Sequence, residues 1–390
     1  VAAVAGGARQ NGQACPGLSG LLTVTAAVHG GVDRAELERL SVDAAAIVDF
    51  SANQSPLGVS AAVRQAVGSA ILDKYPDRDA VGLTRALAAR HGLTERQVVV
   101  GNGSTELIRL LTQVVLRPGD SCLSLGPSFG EYRTAVLLAR GRFVEHRLSI
   151  GSDGPVYDHE ALCARLRARP RLCWLCSPHN PIGIALPSQA IAHLVDAFPD
   201  TIFVLDEAYV DLLTEPQWTA ATLARGNFVV LRSMTKTWGL AGLRLGYALA
   251  PEAVAGPLRS AKAPWSVNAC ALAAGEAALA DEAFYRGVVD ILRDGREQLM
   301  SGLRAQGWRV LPSAASFFLV EVDDACEARK RLLSEGCLVR DCTSFGLPAH
   351  VRVSPRLPEQ NARLLEAFAR LAAQRRGRGG TRAAGNGRPA

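Results

Sequence analysis

The chain has 390 residues, 48% hydrophobic and 21% charged, which is enough apolar material for a large core and points to a globular protein of about two domains. Its formal charge of +6 is concentrated at one end, where residues 374–390 carry five arginines and no acid, so neither a basic nucleic-acid-binding surface nor an acidic one is expected. No apolar run reaches the roughly 20 residues of a membrane span, and nine cysteines, an odd number set mostly in apolar stretches, read as free thiols of a cytoplasmic protein.

Residues 1–28 form an N-terminal extension. Its apolar stretch Leu18–Val28 is interrupted by Ser19, Gly20, Thr23 and Thr25 and lacks a cleavage site, so no export signal is expected. Residues 29–58 read as an arm that contributes to a smaller domain. From 59 to 268 strand-like runs alternate with helical periodicity. The strands are expected at 97–100, 121–125, 142–148, 172–176, 201–205, 228–231 and 243–249, with helices such as 104–116 and 187–198 between them. That alternation predicts an α/β domain with a mostly parallel sheet covered by helices on both faces.

Residues 269–373 change pattern. A long helical region over 269–306 leads to strands at 316–322 and 350–353 and helices at 325–335 and 358–373, a smaller α+β domain. Residues 374–390 lack the apolar side chains that offset ordering entropy and read as a disordered tail.

In an open α/β sheet, ligands bind beyond the carboxyl ends of the strands, and the polar clusters of this chain fall there. Gly101-Asn102-Gly103-Ser104-Thr105 opens a helix after a strand and offers free N–H groups to a phosphate, although an ordinary capped helix looks the same. Asp206 ends the apolar run T-I-F-V-L-D, where a carboxylate needs either a cationic partner or a helix to cap. Lys236 is one of only four lysines among 43 basic residues. A lysine can lose its proton and form an imine and an arginine cannot, so this choice suits a reactive amine as well as an anion site. Cys173 and Cys176 form a C-x-x-C within a core strand, no second pair follows, and no metal site is expected.

Taken together, N180-P-I-G183, D206-E-A-Y209 and S233-M-T-K236-T-W-G-L-A-G-L-R244-L-G-Y247 resemble the aspartate-aminotransferase-like fold type I enzymes that use pyridoxal 5'-phosphate (PLP). The resemblance implies a large domain with a mostly parallel seven-stranded sheet, a smaller α+β domain, and a homodimer with shared active sites. It implies that Lys236 carries PLP as a Schiff base and moves protons, and that Asp206 keeps the ring nitrogen protonated. Asn180 and Tyr209 would bond the ring 3'-oxygen and Phe129 would stack on the ring. Ser104, Thr105, Ser233, Thr235 and Arg244 would hold the phosphate, with Tyr75 reaching across from a second subunit. Arg352 would grip the substrate carboxylate.

The similarity spans residues 29–370. H29-G-G31, D49-F-S-A-N-Q-S-P-L-G58 and V339-R-D-C-T-S-F-G-L-P348 are similar to threonine-phosphate decarboxylases, with histidinol-phosphate aminotransferases next. The leading expectation is therefore a decarboxylase acting on a small phosphorylated amino acid, and the alternative is an aminotransferase of the second kind. His29 and Arg340 would meet the substrate phosphate and Asn53 would line the amino-acid pocket. A flexible turn at His29 and an interdomain salt bridge at Arg340-Asp341 are the plainer readings. Ser55, Ile182 and Ser316 depart from the usual residues, and Ser55 and Ser316 leave room for a different native substrate.

Overall fold

The computed structural model describes residues 27–213 and 225–383, with side chains through residue 375. Most of the N-terminal extension, Cys15 included, and residues 384–390 of the tail lie outside the described residues.

The strands, in chain order, are β1 (Val48–Asp49), β2 (Val98–Asn102), β3 (Ser121–Gly126), β4 (Arg142–Arg147), β5 (Ser149–Gly151), β6 (Gly154–Val156), β7 (Leu172–Cys176), β8 (Ile202–Asp206), β9 (Phe228–Ser233), β10 (Leu245–Leu249), β11 (Phe318–Glu321), β12 (Cys337–Leu338), β13 (Arg340–Asp341) and β14 (His350–Val353). Seven of them form one sheet in the order β2-β10-β9-β8-β7-β3-β4. Only β10 runs against its neighbours, so β2, β3, β7, β8 and β9 all end on the same edge.

Both faces of this sheet are covered, which is why its inner strands are apolar throughout rather than alternating. In β7, Cys173 and Leu175 enter the core on one face while Leu172 and Trp174 enter the core on the other. Phe203 and Leu205 of β8 join the first core and Val204 the second. Each such side chain contributes about 1.5–3 kcal/mol by leaving water.

A second, smaller unit is built on the antiparallel sheet β11-β14-β13. Its core gathers Trp308, Phe318, Val351 and Phe368. The segment from 29 to 58 is tied to this unit, because β1 pairs in parallel with β12 and Phe50 is buried in the same core.

The structure departs from the sequence reading at two places. The helical region 269–306 is two helices, Ala269–Ala280 and Glu282–Ala305, separated by Asp281, whose carboxylate accepts the Phe284 N–H at 3.2 Å. The first of these helices packs into the core of the large unit, where Ala271, Ala274 and Ala278 lie. The last helix runs from Pro358 to Ala383, across the first part of the segment expected to be disordered. Among the described residues, no helix is long and apolar enough to cross a membrane.

Candidate active site

Five of the six strand ends that share one edge, those of β2, β3, β7, β8 and β9, open into a cavity of about 670 Å³ between the two units. Lys236 lines it and is the one lysine of the four that does. Its position follows from local backbone ties. The Lys236 carbonyl accepts N–H groups from Ser55 and Gly239 at 3.1 and 3.0 Å, which ties the turn after β9 to the N-terminal arm. The Nζ atom lies 5.7 Å from the centre of the Tyr209 ring, and that ring stands edge-on to Phe317 at 4.8 Å.

Asp206, at the end of β8, is almost fully buried on the cavity wall. Tyr132 donates its hydroxyl to Oδ2 at 2.7 Å and the Ala208 N–H reaches Oδ1 at 3.0 Å. Burial pushes the carboxyl up, while the Tyr132 hydroxyl, the Ala208 N–H and the Lys236 charge pull it down. Burial and the Asp206 charge push the Tyr132 phenol well above its usual range, so it stays a donor. Tyr132 is itself fixed by stacking on Trp174 at 4.7 Å. Such a carboxylate, held by hydrogen bonds and short of a full counter-charge, suits a protonated ring nitrogen.

The helix Gly103–Val115 begins at the cavity with no side-chain cap, so its first N–H groups and the Ser104 and Thr105 hydroxyls are available to an anion. Arg244 flanks this cradle. A Cβ on Gly103, which has φ +73°, would sit 2.9 Å from Arg244 Nη2, and a Cβ on Gly246 would sit 2.6 Å from the Ser104 nitrogen. The cradle therefore exists only because both positions are glycine. Thr235 lines it, whereas Ser233 does not, its hydroxyl being engaged with that of Thr235 at 2.8 Å.

Across the cavity, Arg340 and Arg352 come from β13 and β14 and are paired directly opposite each other. Both are buried, and among the described residues every side-chain hydrogen bond either donates goes to a neutral oxygen. Arg340 reaches the Val28 carbonyl at 3.0 Å and Ser344 Oγ at 2.7 Å. Arg352 reaches the Ser51 carbonyl at 2.8 Å and the Asn180 side-chain oxygen. Burial and the nearby Arg352 charge pull Arg340 down. Asn53 lies on the same wall with both amide atoms buried and without a partner among the described residues.

This donor set fits PLP: an amine, a buried carboxylate, an anion cradle and, in Phe129, an aromatic wall 5.7 Å from Tyr132. Residues 45–368 match the family model for class I and II aminotransferases. The chain belongs to the class I and II aminotransferase family. It is 36% identical over 351 residues, 88% of this chain and 90% of the relative, to histidinol-phosphate aminotransferase 1 of Thiobacillus denitrificans. Its fold matches histidinol-phosphate aminotransferase of Sinorhizobium meliloti in complex with pyridoxal-5'-phosphate, with a TM-score of 0.79, 26% identity and coverage of 88% and 95% of the two chains. L-threonine-O-3-phosphate decarboxylase of Porphyromonas gingivalis is also similar, with a TM-score of 0.73, 29% identity and coverage of 83% and 99%. The cofactor of this aminotransferase-family enzyme is pyridoxal 5'-phosphate, and its fold is the aspartate-aminotransferase-like α/β fold.

Of the residues singled out in the sequence, His29, Asn53, Ser104, Thr105, Phe129, Asn180, Asp206, Tyr209, Thr235, Lys236, Arg244, Arg340 and Arg352 all line the one cavity. Ser233 lies behind it. Tyr75 does not line it in this chain: it is 79% exposed and stacks on Trp265 at 4.4 Å. Arg340 makes no ion pair with Asp341, contrary to the plainer reading, because it turns inward to Val28 and Ser344. The half-exposed His29 does not hang free in a turn; its Nε2 lies 3.0 Å from the buried Glu131 carboxylate, which Arg109 also approaches at 3.4 Å. Sequence reasoning missed Tyr132, Glu131 and Arg109. The first two stand within the P-S-F-G-E-Y stretch from which only Phe129 was taken; Phe129 caps the helix that carries Glu131 and Tyr132.

Proposed function

We propose that the chain is a PLP-dependent aminotransferase whose substrate carries a phosphate, of the histidinol-phosphate aminotransferase kind. The observation that carries the reading is the pair Arg340 and Arg352, two buried cations with neutral partners only on the wall facing Lys236. Like charges placed directly opposite on neighbouring strands destabilise a sheet, so a bound anionic substrate is what compensates them. The similarity to histidinol-phosphate aminotransferases at 36% and 35% identity supports the reaction class and favours it over the decarboxylase that the sequence motifs put first.

PLP when bound supplies an electron sink. Lys236 would be the amine that carries it and the group that moves the substrate proton. Asp206 holds the ring nitrogen protonated, with Tyr132 as a positioning residue. Asn180 and Tyr209 would meet the ring oxygen, and Phe129 would pack against the ring. Ser104, Thr105, Thr235 and Arg244 hold the cofactor phosphate, and Ser233 orients Thr235. Arg352 takes a carboxylate, and Arg340 with His29 takes the substrate phosphate. Tyr75, exposed in this chain, would reach the cofactor phosphate of a second copy, and a homodimer is the assembly this reading proposes. The eight described cysteines are free, in keeping with a reducing cytoplasm.

Decarboxylation is the second reading, favoured by His29 at the cavity rim and by the 29% identity to the threonine-phosphate enzyme. One assay divides the two. Phosphorylated amino substrates are supplied with and without a 2-oxo acid, and carbon dioxide and oxo products are measured. Product formation that requires the 2-oxo acid supports the aminotransferase; carbon dioxide released without an acceptor replaces it with the decarboxylase.

A further inference from the structure

Outside the cavity, three metal-ligating side chains converge on one point. His159 and Cys163 stand four residues apart on the helix His159–Leu166, which puts them on one face. His193 comes from the helix Ser188–Ala197, which packs over the same side of the sheet, since Leu162, Leu166, Ile191 and Leu194 share one core. None of the three lines the cavity.

We propose that His159, Cys163 and His193 form a binding site for one divalent transition-metal ion, with zinc as the ion its two-nitrogen, one-sulfur donor set suits. His159 Nε2 lies 2.9 Å from His193 Nδ1 and 3.6 Å from Cys163 Sγ, and all three ligand atoms fall within 4.8 Å of one another. At ordinary zinc bond lengths a tetrahedral ion separates two nitrogens by about 3.3 Å and a nitrogen from a sulfur by about 3.6 Å. The two separations from His159 Nε2 therefore lie within a few tenths of an ångström of those an ion imposes, and the third, between His193 and Cys163, lies within 4.8 Å. One side chain is exposed, one half-buried and one buried, so the ion has an entry path and a fourth position for water.

The orientation of His159 is set from behind. Tyr157 Oη lies 3.0 Å from its Nδ1. With Nδ1–H donating to that oxygen, Nε2 presents its lone pair to Cys163 and His193, as in metal sites whose histidines are held by an outer partner. The sequence reading expected no metal, and no sequence spacing joins these donors, which sit on two separate helices with a strand between them.

The test uses the full-length, PLP-loaded protein titrated with Co²⁺ and with Zn²⁺ alone. The proposal expects one equivalent to bind, thiolate-to-cobalt charge-transfer absorption, d–d bands of tetrahedral strength in the red, and displacement by Zn²⁺. His193→Ala and Cys163→Ser should each weaken Zn²⁺ binding by more than about 100-fold, and Tyr157→Phe by about tenfold. His193 is exposed, so its variant tests binding without disturbing the core, and retained PLP checks that the fold persists. Absence of a one-equivalent site, cobalt bound without the thiolate bands, or affinity unchanged in His193→Ala overturns the proposal.

Discussion

Arg340 and Arg352 stand directly opposite each other on β13 and β14, both buried and, among the described residues, neither bonded to a carboxylate oxygen. Twelve residues separate them in the sequence, and only the antiparallel pairing of two short strands brings their guanidinium groups to one wall.

Replacing one member should relieve the repulsion and impair binding. Arg340→Met is expected to leave thermal stability unchanged or raised by about 1 kcal/mol, while KM for a phosphorylated substrate rises about 10- to 100-fold. Thermal unfolding and steady-state kinetics on the same preparation check both signs. A destabilised variant with unaltered KM would mean that Arg340 is a structural residue.

Tyr132→Phe removes the hydroxyl that supports the Asp206 carboxylate. A buried acceptor left without its donor costs about 1–3 kcal/mol, and Asp206 moves further up because the Tyr132 bond is one of the groups opposing burial. Cofactor affinity is expected to fall about tenfold or more, with the loss growing as pH decreases. Equilibrium dialysis of PLP at several pH values measures it.

Arg232 lies 2.7 Å from Glu207, a fully buried carboxyl next to Asp206 that burial pushes up to about 7 against the pull of Arg232. Arg232→Met strands this acid, and the loss of one partner of a buried pair costs about 3–5 kcal/mol. The deficit should be greatest above pH 7, where Glu207 is ionised, and shrink towards pH 5, where it takes a proton. Melting temperatures of wild type and variant across that range give the comparison.

Strands and cofactor site were legible for a shared reason. β7, β8 and β9 are buried on both faces, so they read as uninterrupted apolar runs, and the polar residues that end them, Asn180, Asp206 and Lys236, stand out against that background. Tyr132 was hidden because its role depends on a hydrogen bond between residues 74 apart. The Arg340–Arg352 pairing was hidden because β13 is two residues long and carries no periodicity. The break at Asp281 was missed because apolar spacing continues on both sides of it and only its capping bond marks the new helix.

His179, beside Asn180, is buried and held neutral, its Nε2–H donating to the Leu125 carbonyl at 3.3 Å. Burial pulls it from the ordinary imidazole value down to about 4. The folded value lies below the unfolded one, so the unfolded chain takes up the proton first as pH falls. The neutral ring's contribution is complete above about pH 6.5 and is lost towards pH 4, on the order of 3 kcal/mol. His179→Gln should flatten the fall in melting temperature over that interval; an identical pH profile would remove His179 from the account.

Lys236 as the amine that carries PLP is the central claim, and borohydride reduction followed by peptide mass spectrometry tests it most directly. Reduction fixes the cofactor on whichever lysine holds it, and the chain offers only Lys74, Lys236, Lys262 and Lys330. The account predicts the added mass on the peptide containing Ser233 to Arg244, at Lys236, and its loss in Lys236→Ala. Added mass on Lys74, Lys262 or Lys330, or on no lysine of a protein that still carries PLP, would contradict it.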